Sequence, residues 1–204
     1  MERTGQGRLV NFRLLYLVAQ LIGVVLIILT LSWILLHLNG LSYDYTTPSI
    51  IFNWHPLMMV IGMVFLYGNC ECILPTNQPV FHAFFLAILI YRGFRFGRKR
   101  SLKVTHATIH GLAFVFSLFG LIAVFDSHNY AVPKIPNLYS LHSWIGLAAI
   151  ILFVCQYVMG FVCYLFPMLR EPFRIFYMPI HIFCGLAGYV LALAAALMGL
   201  SEKA

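Results

Sequence analysis

Eight histidines stand out in a chain poor in charge: His37, His55, His82, His106, His110, His128, His142 and His181. Imidazole is the side chain best suited to bind a metal or carry a proton near neutral pH. Four of the eight, His55, His106, His142 and His181, fall close to the start of four separate apolar stretches. An ionisable group in such a stretch is costly and usually meets a partner inside the protein. For any one of them, a hydrogen-bonded core histidine is the plain alternative. Four at matched positions point instead to ligands. Two imidazoles facing across a helix bundle can fill both axial positions of a haem iron. Zinc fits less well, because a pair falls short of its usual ligand number.

The elements that would position these residues are membrane spans. Of 204 residues, 62% are hydrophobic and 9% charged, against roughly 25% charged in soluble domains. Five apolar stretches, residues 14–36, 51–68, 104–125, 138–166 and 176–200, are near or above the ~20 residues that cross a hydrocarbon core as a helix. Strand-like alternation is absent, so a β-barrel is not expected. The sequence therefore predicts an all-α integral membrane bundle of five helices, one domain over 1–204. Asn39, Gly40, Pro48, Pro133 and Pro136 break the connecting loops, and Pro179 is placed in the first turn of the fifth helix.

The net charge of +7 follows topology rather than nucleic acid, which is excluded as a partner. Arg3, Arg8 and Arg13 precede the first helix. Arg92, Arg95, Arg98, Lys99, Arg100 and Lys103 precede the third, and Arg170 and Arg174 lie between the fourth and fifth. Only Lys134 and Lys203 fall on the opposite side. Basic residues favour the cytosol, so the N-terminus is expected inside and the first helix reads as a retained signal anchor. The run 80–91 is too short to span and would invert every later loop if it did, so it reads as re-entrant or interfacial. Cys155, Cys163 and Cys184 sit in predicted helices, and the Cys70/Cys72 pair supplies too few ligands for zinc.

This threading gives the histidines their depth. His55 and His142 each lie four residues into helices that start outside, ~6 Å below the outer end at 1.5 Å per residue. His106 and His181 each lie near the inner start of theirs. The second and fourth helices thus offer an outer pair, and the third and fifth an inner pair. Two such pairs make a stepping path for an electron through a layer ~30 Å thick. His110, one turn from His106 on the same face, is the alternative inner ligand. His106 matches the depth of His181 better. His37 and His128 lie at outer helix ends, where surface histidines are ordinary, and His82 is given no role.

At these residues the chain resembles the cytochrome b561 family. The resemblance rests on FNWHP at 52–56, AILIYRGFR at 87–95, KVTH at 103–106, NLYSLHSW at 137–144, MPIH at 178–181 and ALMGLSEK at 196–203. It implies a transmembrane ascorbate-dependent oxidoreductase with a four-helix di-haem core and two b haems. Cytosolic ascorbate would be the donor, and monodehydroascorbate or ferric iron the acceptor. By motif, His55 and His142 would hold the outer haem, and His106 and His181 the inner one. Arg92 would meet an inner haem propionate. Lys99, Lys103 and Arg174 would bind ascorbate. His128, Asn137, Leu138, Tyr139 and Ser140 would line the outer haem and its substrate site, with Glu202 nearby. Arg and Lys suit such anions physically, although topology signalling alone also explains them.

Two departures from the family pattern stand out. The family usually has six helices, whereas five are found here, so exposed apolar surface is expected where a sixth would pack. Residues 70–86 are an extra 17 residues, which bear on the placement of Arg92 and the basic cluster. Two other readings compete: a haem-free, histidine-dependent transporter or proton relay, which would show no visible absorbance, and an inactive truncated variant. Plasma, lysosomal and secretory-vesicle membranes, and a monomer or a homodimer, are all compatible with the sequence.

Overall fold

In lipid the backbone has no water to bond, so each apolar run closes its hydrogen bonds within a helix. The computed structural model describes residues 2–71 and 99–203, with side chains for 17–69 and 103–203. Among the described residues there are five helices. The first, α1, is Glu2–His37. The second, α2, is composite: Pro48–Ile51, Trp54–Met59, a π-helical stretch Val60–Leu66 and Tyr67–Glu71. Then come α3 (Lys99–Asn129), α4 (Leu141–Tyr164) and α5 (Glu171–Lys203). All five contain stretches long and apolar enough to cross a membrane, and the chain is a multi-pass membrane protein. Large apolar side chains such as Leu21, Leu29, Val115, Phe183 and Leu197 lie exposed on their outer faces. That surface would be a liability in water and suits lipid.

Helix ends differ from the sequence expectation where capping chemistry decides them. α4 begins at Leu141, not 138, because Ser140 caps it: its hydroxyl accepts from the Ser143 backbone N–H at 3.3 Å, and Ser143 Oγ accepts from the Ser140 N–H at 3.1 Å. α5 begins at Glu171, so Pro179 lies inside the helix rather than in its first turn. There it leaves the carbonyl four residues earlier without its helical donor. α1 ends at His37, one residue past the expected 36, where Asn39 and Gly40 both take positive φ (62° and 81°) and the Gly40 N–H bonds Ile34 O at 3.0 Å.

Four helices close a ring: α2 packs on α3, α3 on α4, α4 most extensively on α5, and α5 returns to α2. Small residues let them approach. A Cβ on Gly62 of α2 would stand 3.0 Å from the Ala113 carbonyl of α3, and one on Gly120 3.1 Å from Met58 Cβ. The ring encloses Met63, Tyr67, Ala113, Ala149, Phe153 and Ala192. α1 lies outside it against α2, with Ile34 packed on Leu57 and Met58. Its one long polar side chain within the span, Gln20, donates to Asn69.

The π stretch sets which residues of α2 face inward. At ~100° per residue, the twelve residues from His55 to Tyr67 would leave them ~120° apart on a regular helix. One inserted residue cuts that to ~20°. Tyr67 accordingly points into the ring, 1% exposed, and donates to Gly185 O at 2.7 Å.

Asn53 ties this bundle to the preceding loop. It is 2% exposed, and its amide donates to Leu38 O at 2.7 Å and Gly40 O at 2.8 Å. Asn53→Ala leaves two carbonyls under-satisfied, at a cost of ~1–3 kcal/mol. The expected result is an apparent unfolding temperature lowered by several degrees in detergent. An unchanged melt would contradict the clamp.

Candidate functional site

The ring brings the four histidines together as two pairs on opposite helices. His55 of α2 faces His142 of α4 with ring centres 6.1 Å apart. His106 of α3 faces His181 of α5 at 6.4 Å. Two metal–nitrogen bonds of ~2.0 Å and two ring radii of ~1.1 Å place the imidazoles of one iron ~6.2 Å apart, centre to centre. Both pairs match that span. Among the described residues, no group of three or more His, Cys, Asp or Glu could hold a metal. Each pair offers two imidazoles on opposite sides of one position, which suits a cofactor that supplies the remaining ligands itself.

The hydrogen bonds select the right nitrogen. His55 Nδ1 meets Gly120 O at 3.1 Å and His142 Nδ1 meets Ala195 O at 2.7 Å. A carbonyl only accepts, so Nδ1 carries the proton and Nε2 keeps its lone pair for a metal. His181 Nδ1 meets Gln156 Oε1 at 2.8 Å, and Tyr177 donates to the same oxygen at 3.1 Å. Glycines make room for two of the rings. A Cβ on Gly199 would lie 2.7 Å from His142 Cε1, and one on Gly160 2.9 Å from His181 Cε1.

The pairs stand at two levels. On α4, His142 marks one level and Gln156 with Gly160, beside His181, mark the other. That separation is ~16 residues, or ~24 Å of helix. The same spacing recurs on α5, between His181 and the Ala195–Gly199 stretch beside His142. His110 is 7% exposed, with its ring centre 4.4 Å from His106 and 5.4 Å from Tyr67. Its Nδ1 has no hydrogen-bond partner among the described residues. It sits inward of the His106–His181 pair, in an aromatic layer with Tyr67 and Phe153.

At the His106–His181 end is a pocket of ≈ 450 Å³ lined by Lys103, Tyr164, Glu171, Arg174 and Pro179, among others. Lys103 Nζ lies 5.9 Å from the Tyr164 ring centre, and Tyr164 donates to Arg174 O at 3.1 Å. Arg174 Nε is buried with no hydrogen-bond partner among the described residues. Two of the three expected ascorbate contacts thus meet in one pocket, together with Glu171, which the sequence reading did not include. Arg92 lies outside the described residues, as do His82, Cys72 and the side chains of Lys99 and Cys70.

At the other end, His128 Nδ1 meets Asn137 Oδ1 at 3.2 Å, and Asn137 donates to Asn129 at 2.9 Å. Tyr139 is 68% exposed with its ring 6.3 Å from His128, and Leu138 takes a positive φ of 54°. Ser140 spends its hydroxyl on the α4 cap. Glu202 lies exposed on the last turn of α5, whose Lys203 sits 4.6 Å over the Phe52 ring. The loop after α1 closes over this end through Tyr43, which donates to Asp126 at 2.9 Å. Burial, then that carboxylate, pushes the Tyr43 phenol up to about 12, so it remains a donor throughout the physiological range.

Residues 79–204 match the family model for eukaryotic cytochrome b561. The chain belongs to the cytochrome b561 family. Membership implies b-type haem, which the paired histidines suit. The chain is 39% identical over 193 residues to the plasma membrane ascorbate-dependent reductase CYBRD1 of Xenopus tropicalis, covering 93% of this chain and 61% of that one. It is 40% identical over 187 residues to the transmembrane ascorbate-dependent reductase CYB561 of Homo sapiens, covering 90% and 64%. It is 36% identical over 195 residues to the lysosomal membrane ascorbate-dependent ferrireductase CYB561A3 of Danio rerio, covering 96% and 71%. The chain thus spans a little under two thirds of the length of the first two relatives.

Sequence reasoning missed Gln156, Tyr177 and the glycines at 160 and 199. Gln156 carried a signal, as a lone amide within an apolar span. The glycines carried none until their neighbours were known.

Proposed function

We propose that this chain carries single electrons across a membrane, from ascorbate inside to monodehydroascorbate or ferric iron outside. In this reading one b haem is held by His55 and His142 near the outer face, and a second by His106 and His181 near the inner face. The observation that carries it is the pair of imidazole couples at iron-spanning separation, on opposite helices and at two depths. The cofactor supplies a one-electron couple at each level. The chain's residues do the rest. The Nδ1 hydrogen bonds fix ring orientation and leave Nε2 toward the metal. Lys103 and Arg174 offer charge-assisted donors to an anion in the inner pocket. Oxidation of ascorbate by one electron gives monodehydroascorbate and a proton on the donor side. Gain of that electron outside gives ferrous iron, or ascorbate with uptake of one proton.

The test is an absorbance spectrum of the purified chain before and after ascorbate. A reduced-minus-oxidised b-type signal with two haems per chain is expected, reached without any other protein. A colourless preparation from haem-replete cells ends the proposal and favours a haem-free relay. Removal of either pocket cation has a separate signature. In Lys103→Ala or Arg174→Ala, haem content should hold while the ascorbate concentration giving half the maximal rate of reduction rises about tenfold, the equivalent of ~1.4 kcal/mol. Equal ascorbate dependence in both variants and the parent would move the donor site elsewhere.

A further inference from the structure

The ring hydrogen bonds differ in kind. Those of His55 and His142 end on backbone carbonyls, which the helices hold fixed. That of His181 ends on a side chain, Gln156 Oε1, at 2.8 Å. The same oxygen also accepts the Tyr177 hydroxyl at 3.1 Å. Tyr177 in turn stacks on Tyr164, with centres 6.2 Å apart and planes 26° apart, and Tyr164 forms a wall of the basic pocket. A half-buried amide within an apolar span of α4, with its oxygen shared by two donors, is an arrangement that packing alone does not require.

We propose that Gln156 and Tyr177 act as a positioning pair that sets the electron donation of His181, and with it the midpoint potential of the inner haem, in opposite senses. The proposal rests on the reading that His181 is an inner haem ligand. A donor hydrogen bond from Nδ1–H fixes the ring and raises its basicity as a ligand. A more basic imidazole stabilises the ferric form and lowers the potential. An oxygen shared between two donors accepts less strongly from each. Tyr177 therefore weakens the bond that Gln156 makes to His181. A carboxylate at position 156 would pull harder, at the cost of a charge within the membrane. The amide gives an intermediate pull that the phenol trims.

The experiment is a redox titration of the purified full chain, followed by haem absorbance. Two midpoints are expected in the parent, and the inner one is the midpoint that vanishes in His181→Ala. Gln156→Leu keeps the side chain's bulk and removes the acceptor, so the inner midpoint should rise. Tyr177→Phe keeps the ring and frees the acceptor, so it should fall. Each shift is expected to be about tenfold in the ferric-to-ferrous ratio at fixed potential, or ~59 mV for one electron. The double variant should match Gln156→Leu, because Tyr177 acts only through Gln156.

A purely structural role would move both single variants the same way, by loosening the ligand. That result, an unmoved inner midpoint or a shift in the outer one overturns the proposal. If Gln156→Leu takes up no inner haem, Tyr177→Phe decides alone, and anything but a fall is against it. Absence of b-type absorbance in the parent would overturn the haem reading itself, and this proposal with it.

Discussion

His55→Ala is expected to leave one b haem of two, still reducible by ascorbate, and to reduce electron delivery to an impermeant external acceptor by at least ~100-fold. The two histidine pairs share no residue and draw on different helices. α2 and α4 contribute to one, α3 and α5 to the other. On the proposed reading, loss of a ring on α2 would remove one ligand at one level, while the other level would keep both of its own. The basic pocket lies beside the surviving pair, so the donor step persists. The mirror variant, His181→Ala, should lose ascorbate reduction as well as a haem. Should the alanine disturb folding, His55→Met is the second variant: a thioether can stand in for the imidazole, so both haems should remain and only the outer midpoint should rise. Haem counting by absorbance and a vesicle assay with external ferric chelate check both results. Simultaneous loss of both haems in the methionine variant would contradict independent sites.

The second large effect comes from a residue with no side chain. Gly199→Ala would put a methyl carbon 2.7 Å from His142 Cε1, where carbon atoms prefer ~3.5–4.0 Å. The ring must then shift by ~1 Å, against a tolerance of ~0.2 Å in metal–ligand distance. A free imidazole would swing aside cheaply. This one is held at Nδ1 by Ala195 O at 2.7 Å and, when loaded, at Nε2 by iron. The expected result is an intact helical bundle with the outer haem lost or severely weakened. Gly160→Ala should do the same to the inner haem, with a contact of 2.9 Å to His181 Cε1. Gly146→Ala is the control, because its Cβ meets only Ala195 Cβ at an ordinary 3.7 Å. Circular dichroism with haem quantification separates these outcomes. Full haem in Gly199→Ala would show that the ring has room to spare.

The spans and the histidine levels were readable in the sequence because both follow from simple periodic arithmetic. Apolar length gives the spans, their alternation pairs the ends, and 1.5 Å per residue gives depth. His55 and His142 meet, as do His106 and His181, because those rules use only position along an axis. Rotation about the axis was not readable. The π stretch at Val60–Leu66 turns Tyr67 onto the His55 side, and no residue type among Val, Ile, Gly, Met, Phe and Leu announces it. α5 starts five residues before the expected 176, with Glu171, Pro172 and Arg174 in its first turns. Acidic and proline residues favour a helix N-terminus as readily as a loop. Gln156 and the two glycines depend on contacts between distant parts of the chain, which no local pattern encodes.

The crossed arrangement of the two pairs bears on how the molecule is put together. Sequential helices tend to enter the bilayer as neighbouring hairpins, here α2 with α3 and α4 with α5. Neither hairpin carries both histidines of a pair. On the proposed reading each iron would bridge one hairpin to the other, once at either end, so the prosthetic groups would act as sutures between the two halves. Cofactor delivery would then tighten a ring that helix packing already closes, and a chain starved of it would hold its two halves together less firmly.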